Sequence, residues 1–311
     1  MPDRLEVAKT YKLFIDGKFP RSESGRTFAA HDPKGRVVAH MCRASRKDLR
    51  DAVTAARKAL PGWRDATAYL RAQIMYRMAE MMEGKRDEFT DALRTGWSGS
   101  PSRTHGSESR ATKEVTAAID RLVAFAGWAD KYAQVLGCNN QVAGPYYNFT
   151  VPEPTGVVAV IAPNDPGLLG LISLIAPVVC AGNTAVALGG GGPGASLATV
   201  ILAEVMATSD VPAGVVNLLT GDSAELIPVI AGHRDIDAVH AAGVTDEQRT
   251  ILREGAAENV KRVTVRELAS GRAARSKSAK AVDLYDAETC QDPWWIEPFV
   301  EMKTIWHPSA T

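Results

Sequence analysis

The sequence predicts an α/β protein built around a parallel sheet that helices cover on both faces. The main observation is the stretch 151–188, in which 156–161 and 184–188 are short, β-branched apolar runs. A turn, Pro163-Asn164-Asp165-Pro166, and a long apolar segment, 168–179, separate these runs. Strand, crossover helix and strand make one βαβ unit, the unit from which parallel sheets are assembled.

Bulk composition narrows the class of protein further. Lys+Arg and Asp+Glu both count 36 among 311 residues, so no net field favours nucleic acid or an anionic membrane. The longest apolar run, 167–181, contains Pro177 and is shorter than the roughly 20 residues of a membrane span. The charged N-terminal stretch lacks the apolar core of a signal peptide. We therefore expect a cytoplasmic protein with no membrane or nucleic-acid partner.

The cysteines are scattered, at positions 42, 138, 180 and 290, and the six histidines are equally dispersed. No spacing resembles a metal site, and single cysteines suit a reducing compartment. The sequence therefore predicts no metal.

The N-terminal part predicts a short hairpin and extended segment over 11–36, with turns at Asp16-Gly17 and Asp32-Pro33. The box Ser45-Arg-Lys-Asp48 opens a helix, and Pro61-Gly62 is predicted to end it. A second amphipathic helix is predicted over 66–84.

Ile74 and four methionines, Met75, Met78, Met81 and Met82, lie on or near the apolar side of that second helix. Such a cluster of methionines could be a soft surface that binds a ligand, but the helical spacing favours a place in the hydrophobic core.

The Ser- and Gly-rich stretch 96–109 is predicted to be a surface loop, with His105 solvated. The longest helix is predicted over 114–135, and 146–151 alternates like a strand.

Seven short sequence motifs, which occur in the same order along the chain, resemble motifs of aldehyde dehydrogenases. They are FIDGK at 14–18, DAVTAAR at 51–57, FAGWADK at 125–131, EPTGVV at 153–158, GNT at 182–184, PAGVVN at 212–217 and NVKRVT at 259–264. The resemblance implies a doubly wound, Rossmann-like, mostly parallel sheet in a cofactor-type domain over 1–270. It also implies a small antiparallel oligomerisation sheet with strands near 144–158.

The C-terminal segment 299–308 resembles the last strand of full-length members of that family. We therefore predict an oligomerisation strand in 298–311 and a linker in 271–297 that replaces the catalytic domain. This arrangement resembles the truncated second module of two-module, member-16-type aldehyde dehydrogenases. An edge strand over 301–306 would be prone to aggregation if it stayed bare, which favours a partner.

The resemblance also implies a chemistry: a cysteine thiolate attacks the aldehyde, an asparagine holds the oxyanion, NAD(P) takes the hydride and a glutamate activates water. Without a gap between Pro163 and Gly182, the asparagine position is Asp165, whose carboxylate would repel an oxyanion. Asn164 could replace it only if the turn were shifted by one residue.

The implied cofactor contacts are altered as well. Leu188 stands at the position of the lysine that contacts the ribose, and the run 189–192 is either a phosphate loop or, as we favour, a flexible turn. Gly221-Asp222-Ser223 replaces Gly-x-Gly, and Val244 of 241–244 replaces the serine near the pyrophosphate. We expect no cofactor, and NAD(P) is the alternative.

The general base aligns with Arg266, or with Glu267 after a slip of one residue. Cys290 comes too early for the nucleophile and lacks its flanking context, so we interpret it as an incidental thiol. The sequence therefore assigns no catalytic, cofactor-binding or metal residue.

Three hypotheses follow. The first, which we favour, is a catalytically inactive subunit that forms a homo-oligomer, or a hetero-oligomer with a full-length aldehyde dehydrogenase, and supports its architecture or aldehyde handling. The second is an active NAD(P)-dependent oxidoreductase that uses a displaced set, Asn164, Glu267 and Cys290. The third is a sensor that binds nucleotide without chemistry.

Overall fold

The computed structural model describes residues 7–95, 104–269 and 281–309, except for the side chains of 104–109. The strands are β1 Lys9–Tyr11, β2 Thr27–His31, β3 Val37–Cys42, β4 Cys138–Asn140, β5 Tyr146–Pro154, β6 Val157–Ile161, β7 Thr184–Leu188, β8 Val216–Leu219, β9 Ala238–Ala242, β10 Arg262–Arg266 and β11 Val300–Pro308. The helices are α1 Arg46–Arg64, α2 Ala68–Gly84, α3 Arg86–Thr95, α4 Thr104–Trp128, α5 Tyr132–Leu136, α6 Gly167–Cys180, α7 Pro193–Thr208, α8 Ser223–Gly232, α9 Asp246–Asn259 and α10 Ala287–Cys290. Short 3-10 turns follow at Pro293–Trp295 and Glu297–Phe299.

The central sheet has five parallel strands in the order β10-β9-β6-β7-β8. One apolar layer on it contains α2, α3, α4, α6 and α7, and the other contains α8 and α9, with α1 contributing to both. Two smaller sheets have the orders β1-β3-β2 and β11-β5-β4. The predicted fold class, a doubly wound parallel sheet with a small antiparallel sheet, is confirmed.

The βαβ unit at 151–188 forms as predicted. Strands β6 and β7 are buried along their whole length and pair in parallel. Every residue of α6 is buried too, which explains why this helix is apolar on all sides and not amphipathic.

Helix α1 begins with the predicted capping box. Ser45 Oγ accepts from the backbone N–H of Asp48 (3.2 Å), and the Asp48 carboxylate accepts from the backbone N–H of Ser45 (2.8 Å). The predicted end at Pro61-Gly62 is wrong, because α1 continues to Arg64. Pro61 lies in the last turn, where its missing N–H removes only one helical bond, and Trp63 Nε1 anchors that turn by donating to Val179 O (3.0 Å).

Helix α2 begins at Ala68, two residues later than predicted, with Thr67 as its N-cap. Met75, Met78 and Met82 are buried in the main apolar cluster, in agreement with the core interpretation.

The loop predicted over 96–109 is wrong for 104–109, which begin α4, while 96–103 lie outside the described residues. The buried part of α4 from Ala111 onwards supplies the packed turns from which a helix extends at little further cost. His105 therefore has a helical backbone, and its side chain lies outside the described set.

The helix predicted over 114–135 is two helices. Helix α4 ends at Trp128, and α5 starts at Tyr132. The break lets Tyr132 turn inwards, where it is buried and its hydroxyl approaches Ala181 O (3.4 Å).

Strand β5 confirms the strand predicted at 146–151 and continues to Pro154, whereas 157–158 belong to the parallel sheet. The C-terminal strand is present as well. Strand β11 pairs antiparallel with β5 along nine residues, from Val300 opposite Pro154 to Pro308 opposite Tyr146.

Residues 281–299, most of which the sequence predicts as linker, pack into the main apolar cluster. Leu284, Cys290, Ile296 and Phe299 are all at most 2% exposed. Arg121 of α4 fixes this segment from inside the protein: its guanidinium donates to Ser173 Oγ and to Leu284 O, both at 2.8 Å. Within the described part of the chain, no helix is long and apolar enough to cross a membrane.

We predict that Arg121→Ala lowers the free energy of unfolding by about 3 kcal/mol, because it leaves two buried acceptors without donors and opens a cavity. Urea unfolding would measure this. Arg253→Ala, at an exposed position of α9, is the control and should stay within about 0.5 kcal/mol of the parent. Equal stabilities for the two variants would contradict the role assigned to Arg121.

Candidate functional site

A cleft of about 470 Å³ opens at the carboxyl ends of the central strands. Its floor is apolar, formed by Ile161 of β6, Leu188 of β7 and Ala242 of β9. In open parallel sheets, ligands bind outside the carboxyl ends of the strands, so this cleft is the candidate site.

The run 189–192 forms one wall, and it is closely packed. A Cβ on Gly189 would lie 2.1 Å from Thr199 Oγ1, and one on Gly190 would lie 2.4 Å from Pro163 O. Asn164 lines the cleft and accepts a hydrogen bond from the backbone N–H of Gly191 (2.7 Å). The glycines thus allow the backbone to approach the 163–166 turn, and the Asn164 amide oxygen is engaged in holding it.

Asp165, at the position where the family resemblance implies asparagine, forms an ion pair with Arg110 of α4 (Nη2–Oδ1 2.5 Å, Nη2–Oδ2 2.7 Å). Just inside the turn, the buried Glu114 accepts from the backbone N–H groups of Leu168 (2.8 Å) and Leu169 (3.3 Å). Burial raises the pKa of Glu114. Two carboxyl groups therefore lie at the start of α6, at the place where the family resemblance implies hydrogen-bond donors for an oxyanion.

The opposite wall carries a carboxylate as well. Asp222 is the N-cap of α8, and its Oδ1 accepts from the backbone N–H of Ala224 (2.9 Å). Its other oxygen accepts from Arg43 Nη2 (3.0 Å), and the same nitrogen also donates to Glu225 (3.2 Å). The cationic group at this wall is thus already neutralised by acidic side chains.

Helix α9 reaches the cleft with its N-terminus similarly engaged. Thr245 Oγ1 accepts from the backbone N–H of Gln248 (3.2 Å), and Gln248 Oε1 accepts from the backbone N–H of Thr245 (3.0 Å). Val244, before this capping box, presents an apolar side chain to the cleft.

The cleft lies where open parallel sheets bind dinucleotides, but the residues that line it do not fit one. Leu188 is 2% exposed and carries no donor, Asp222 has the wrong sign for a phosphate, and Val244 donates no hydrogen bond. One backbone donor at the start of each helix, that of Ala224 in α8 and that of Gln248 in α9, is occupied by the helix's own N-cap.

The two candidates for the general base have other partners. Arg266 Nε lies 3.2 Å from His240 Nε2, its guanidinium stacks 4.2 Å from the centre of the Trp295 ring, and burial lowers its pKa. Glu267 forms an ion pair with Arg249 (3.1 Å). Neither side chain lines the cleft.

Cys290 is fully buried, and its thiol donates to Asp283 O (3.3 Å). Burial raises its pKa, the opposite of what a nucleophilic thiolate requires. The displaced set is therefore not brought together, since Asn164 lines the cleft and Cys290 does not. All four cysteines are free, and His, Cys, Asp and Glu form no metal-binding group of three in the residues described.

Sequence reasoning missed Arg110, Glu114 and Arg43. Arg110 lies 55 positions from Asp165, and nothing in the local pattern of α4 marks it as a partner. Only knowledge of which helix crosses the turn could have found it.

A five-stranded parallel sheet, helices on both faces and a glycine-lined cleft at the strand ends define a dinucleotide-binding type of α/β domain. The sequence model described as the aldehyde dehydrogenase family matches residues 19–273. The chain belongs to the aldehyde dehydrogenase family.

Individual relatives agree with this assignment. The chain is 32% identical over 269 residues to an aldehyde dehydrogenase of Aspergillus niger, covering 85% of this chain and 51% of that protein. It is 31% identical over 268 residues to the mitochondrial benzaldehyde dehydrogenase of Antirrhinum majus, covering 85% and 48%. The chain thus spans about half the length of the curated relatives it matches.

Among solved structures, the NAD+ complex of a Bacillus cereus aldehyde dehydrogenase superimposes with a TM-score of 0.76 at 29% identity. The match covers 84% of this chain and 52% of that one. An NAD-dependent aldehyde dehydrogenase from Sinorhizobium meliloti gives the same TM-score at 26% identity, covering 84% and 50%.

We predict that His240, which lies below the cleft, makes the stability of the protein depend on pH. It is fully buried, its Nδ1 lies 3.0 Å from Leu174 O, and burial holds its pKa well below the ordinary 6.5. As the pH falls below 6.5, the unfolded chain takes a proton that the folded protein does not, so stability falls by up to about 1.4 kcal/mol per pH unit. Urea unfolding of the parent and of His240→Gln between about pH 5 and 7.5 should show a flatter dependence for the variant. Parallel curves would contradict the prediction.

Proposed function

We propose that this chain is a catalytically inactive member of its family that acts as an assembly subunit. It joins a complete aldehyde dehydrogenase, or a second copy of itself, through the sheet β4-β5-β11, and supports the architecture or aldehyde handling of the complex. The observation that carries the proposal is the ion pair between Asp165 and Arg110, at the position where the family resemblance implies the asparagine that holds the oxyanion.

The electrostatics of that pair support inactivity. A tetrahedral intermediate needs donors directed at its oxygen, and removing one such donor costs about 10²–10³ in kcat. Here the side chain is acidic, and Asn164 beside it already binds the backbone N–H of Gly191. The buried Cys290 thiol has no depressed pKa to compensate.

The antiparallel sheet supports the assembly role. It carries exposed large side chains: Trp306 is 58% exposed, Tyr147 50%, and Tyr146 and Met302 46% each. Trp306 and Tyr146 contact each other edge to face, with ring centres 5.8 Å apart. Clustered aromatic and methionine side chains are typical of the buried centre of protein interfaces.

The setting we propose is the cytoplasm, which free cysteines suit. Nucleotide binding is not part of the proposed function, although two solved relatives are described by their NAD+ complex or NAD dependence.

Co-expression with full-length aldehyde dehydrogenases of the same genome tests the assembly role. Light scattering should show a complex larger than the monomer, and Trp306→Ser should weaken it at least about tenfold, because it removes a large apolar contact from the interface. Tyr76→Ser, at a similarly exposed aromatic residue of α2 (52%), is the matched control and should leave it intact. A strictly monomeric protein that binds none of these enzymes would refute the proposal.

Assays with several aldehydes and NAD or NADP test inactivity. We expect no turnover for the parent and none for Asp165→Asn, because restoring one donor does not supply an exposed thiolate. Turnover that disappears in Cys290→Ser would instead establish the displaced catalytic set.

Thermal unfolding with nucleotide tests the cleft. A ligand at 100 times its Kd stabilises a protein by about 2.7 kcal/mol, which a melting curve detects readily. We expect no shift of Tm at about 1 mM NAD, NADP or ATP, a concentration that reaches that excess for any Kd of about 10 μM or below. A clear shift would favour a nucleotide sensor.

A further inference from the structure

Strand β11 is the last strand of the antiparallel sheet, so only one of its sides is paired within the chain. The backbone N–H of Thr155 donates to Phe299 O (3.2 Å), and that of Ser309 donates to Pro145 O (2.9 Å). Both bonds continue the register in which Lys303 faces Val151. Because hydrogen-bonded pairs alternate in an antiparallel ladder, the odd-numbered residues of β11 direct their backbone groups at β5.

The even-numbered residues therefore direct their backbone N–H and C=O groups away from β5. At one end, Val300 O is occupied, since it accepts from Arg262 Nη1 (2.5 Å). At the other end, Pro308 has no N–H. Between these limits, Met302, Thr304 and Trp306 form an open edge whose midpoint is Thr304, and no backbone partner for it occurs among the described residues.

We propose that this edge pairs antiparallel with the same edge of a second copy of the chain, about a twofold axis at Thr304. The proposal rests on the assembly role above and specifies its partner. The two copies would form one continuous sheet, β4-β5-β11-β11-β5-β4.

Side-chain chemistry selects this register. With Thr304 opposite itself, Met302 of one copy faces Trp306 of the other, so two exposed apolar side chains cover each other, and Glu301 faces His307. Moving the axis to residue 303 would place Lys303 opposite Lys303, and directly opposed like charges destabilise a sheet. Moving it to residue 305 would place Met302 opposite Pro308 and leave Trp306 facing Thr304.

Disulfide trapping tests the register in a Cys138→Ser background, because Cys138 is the exposed native cysteine. Thr304→Cys should cross-link efficiently under diamide, since directly opposed Cα atoms lie about 5.5 Å apart, within the range of a disulfide. Lys303→Cys and Ile305→Cys, the matched controls, would lie on diagonals of about 7–8 Å and should cross-link poorly. Preferential cross-linking at 303 or 305 would overturn the register.

A proline tests the backbone contact itself. Thr304→Pro removes an N–H that points away from β5, so it should spare the fold, seen as an unchanged circular dichroism spectrum, but raise the Kd of the dimer at least about tenfold by removing two intermolecular bonds. Thr304→Val keeps the N–H and should dimerise normally.

The outcomes separate this inference from the assembly role. A dimer that Thr304→Pro does not weaken, or a chain that binds only a complete aldehyde dehydrogenase, would overturn the self-pairing and leave the assembly role standing. A strictly monomeric chain that binds no such enzyme would overturn both.

Discussion

The rest of the structure depends on the complete burial of α6. All of its residues from Gly167 to Cys180 are buried, so each side of the helix needs an apolar neighbour. The parallel sheet, α4 and α7 provide most of this cover. Residues 281–299 complete it, with Leu284 3.7 Å from the position of a Cβ on Gly170. Arg121 joins the two parts, because one guanidinium binds both Ser173 of α6 and the backbone of this segment.

The turn 163–166, which precedes α6, keeps its shape although Asp165 replaces the asparagine that the family resemblance implies. The turn is held from three sides, by Asn164 on Gly191, by Glu114 on the first N–H groups of α6 and by Arg110 on Asp165. The Arg110–Asp165 pair is partly exposed, and pairs of this kind contribute little stability, about 0–1 kcal/mol. Its effect on the site is to keep the Asp165 carboxylate engaged at the position where the family resemblance implies an asparagine.

Local pattern was sufficient to predict the elements whose sequence and environment agree. The β6-α6-β7 unit could be predicted because apolar runs, a proline turn and Gly182-Asn183 mark every boundary. The ends of α1 and α4 could not, because Trp63 and Tyr132 reach partners more than 45 positions away. The site divides in the same way. The spacing within the family resemblance was enough to locate Asp165 and Leu188. The ion pair of Arg110 with Asp165 and the stacking of Arg266 on Trp295 could not be predicted, because they depend on which elements of the fold lie next to each other.

The sheet β4-β5-β11 is limited by how little apolar surface it buries within the chain. Strand β4 is wholly exposed and β11 is nearly so, although an isolated small sheet needs an apolar face packed against something to be stable. Within the chain its support comes mainly at one end, from α5 on β5, from Arg262 on Val300 and from the burial of Phe299. The free end carries Trp306 and Tyr146, and covering them would bury the apolar surface that the sheet lacks. This gain requires nothing from Asp165, Leu188 or Cys290, so the assembly that we propose does not depend on catalysis in the cleft.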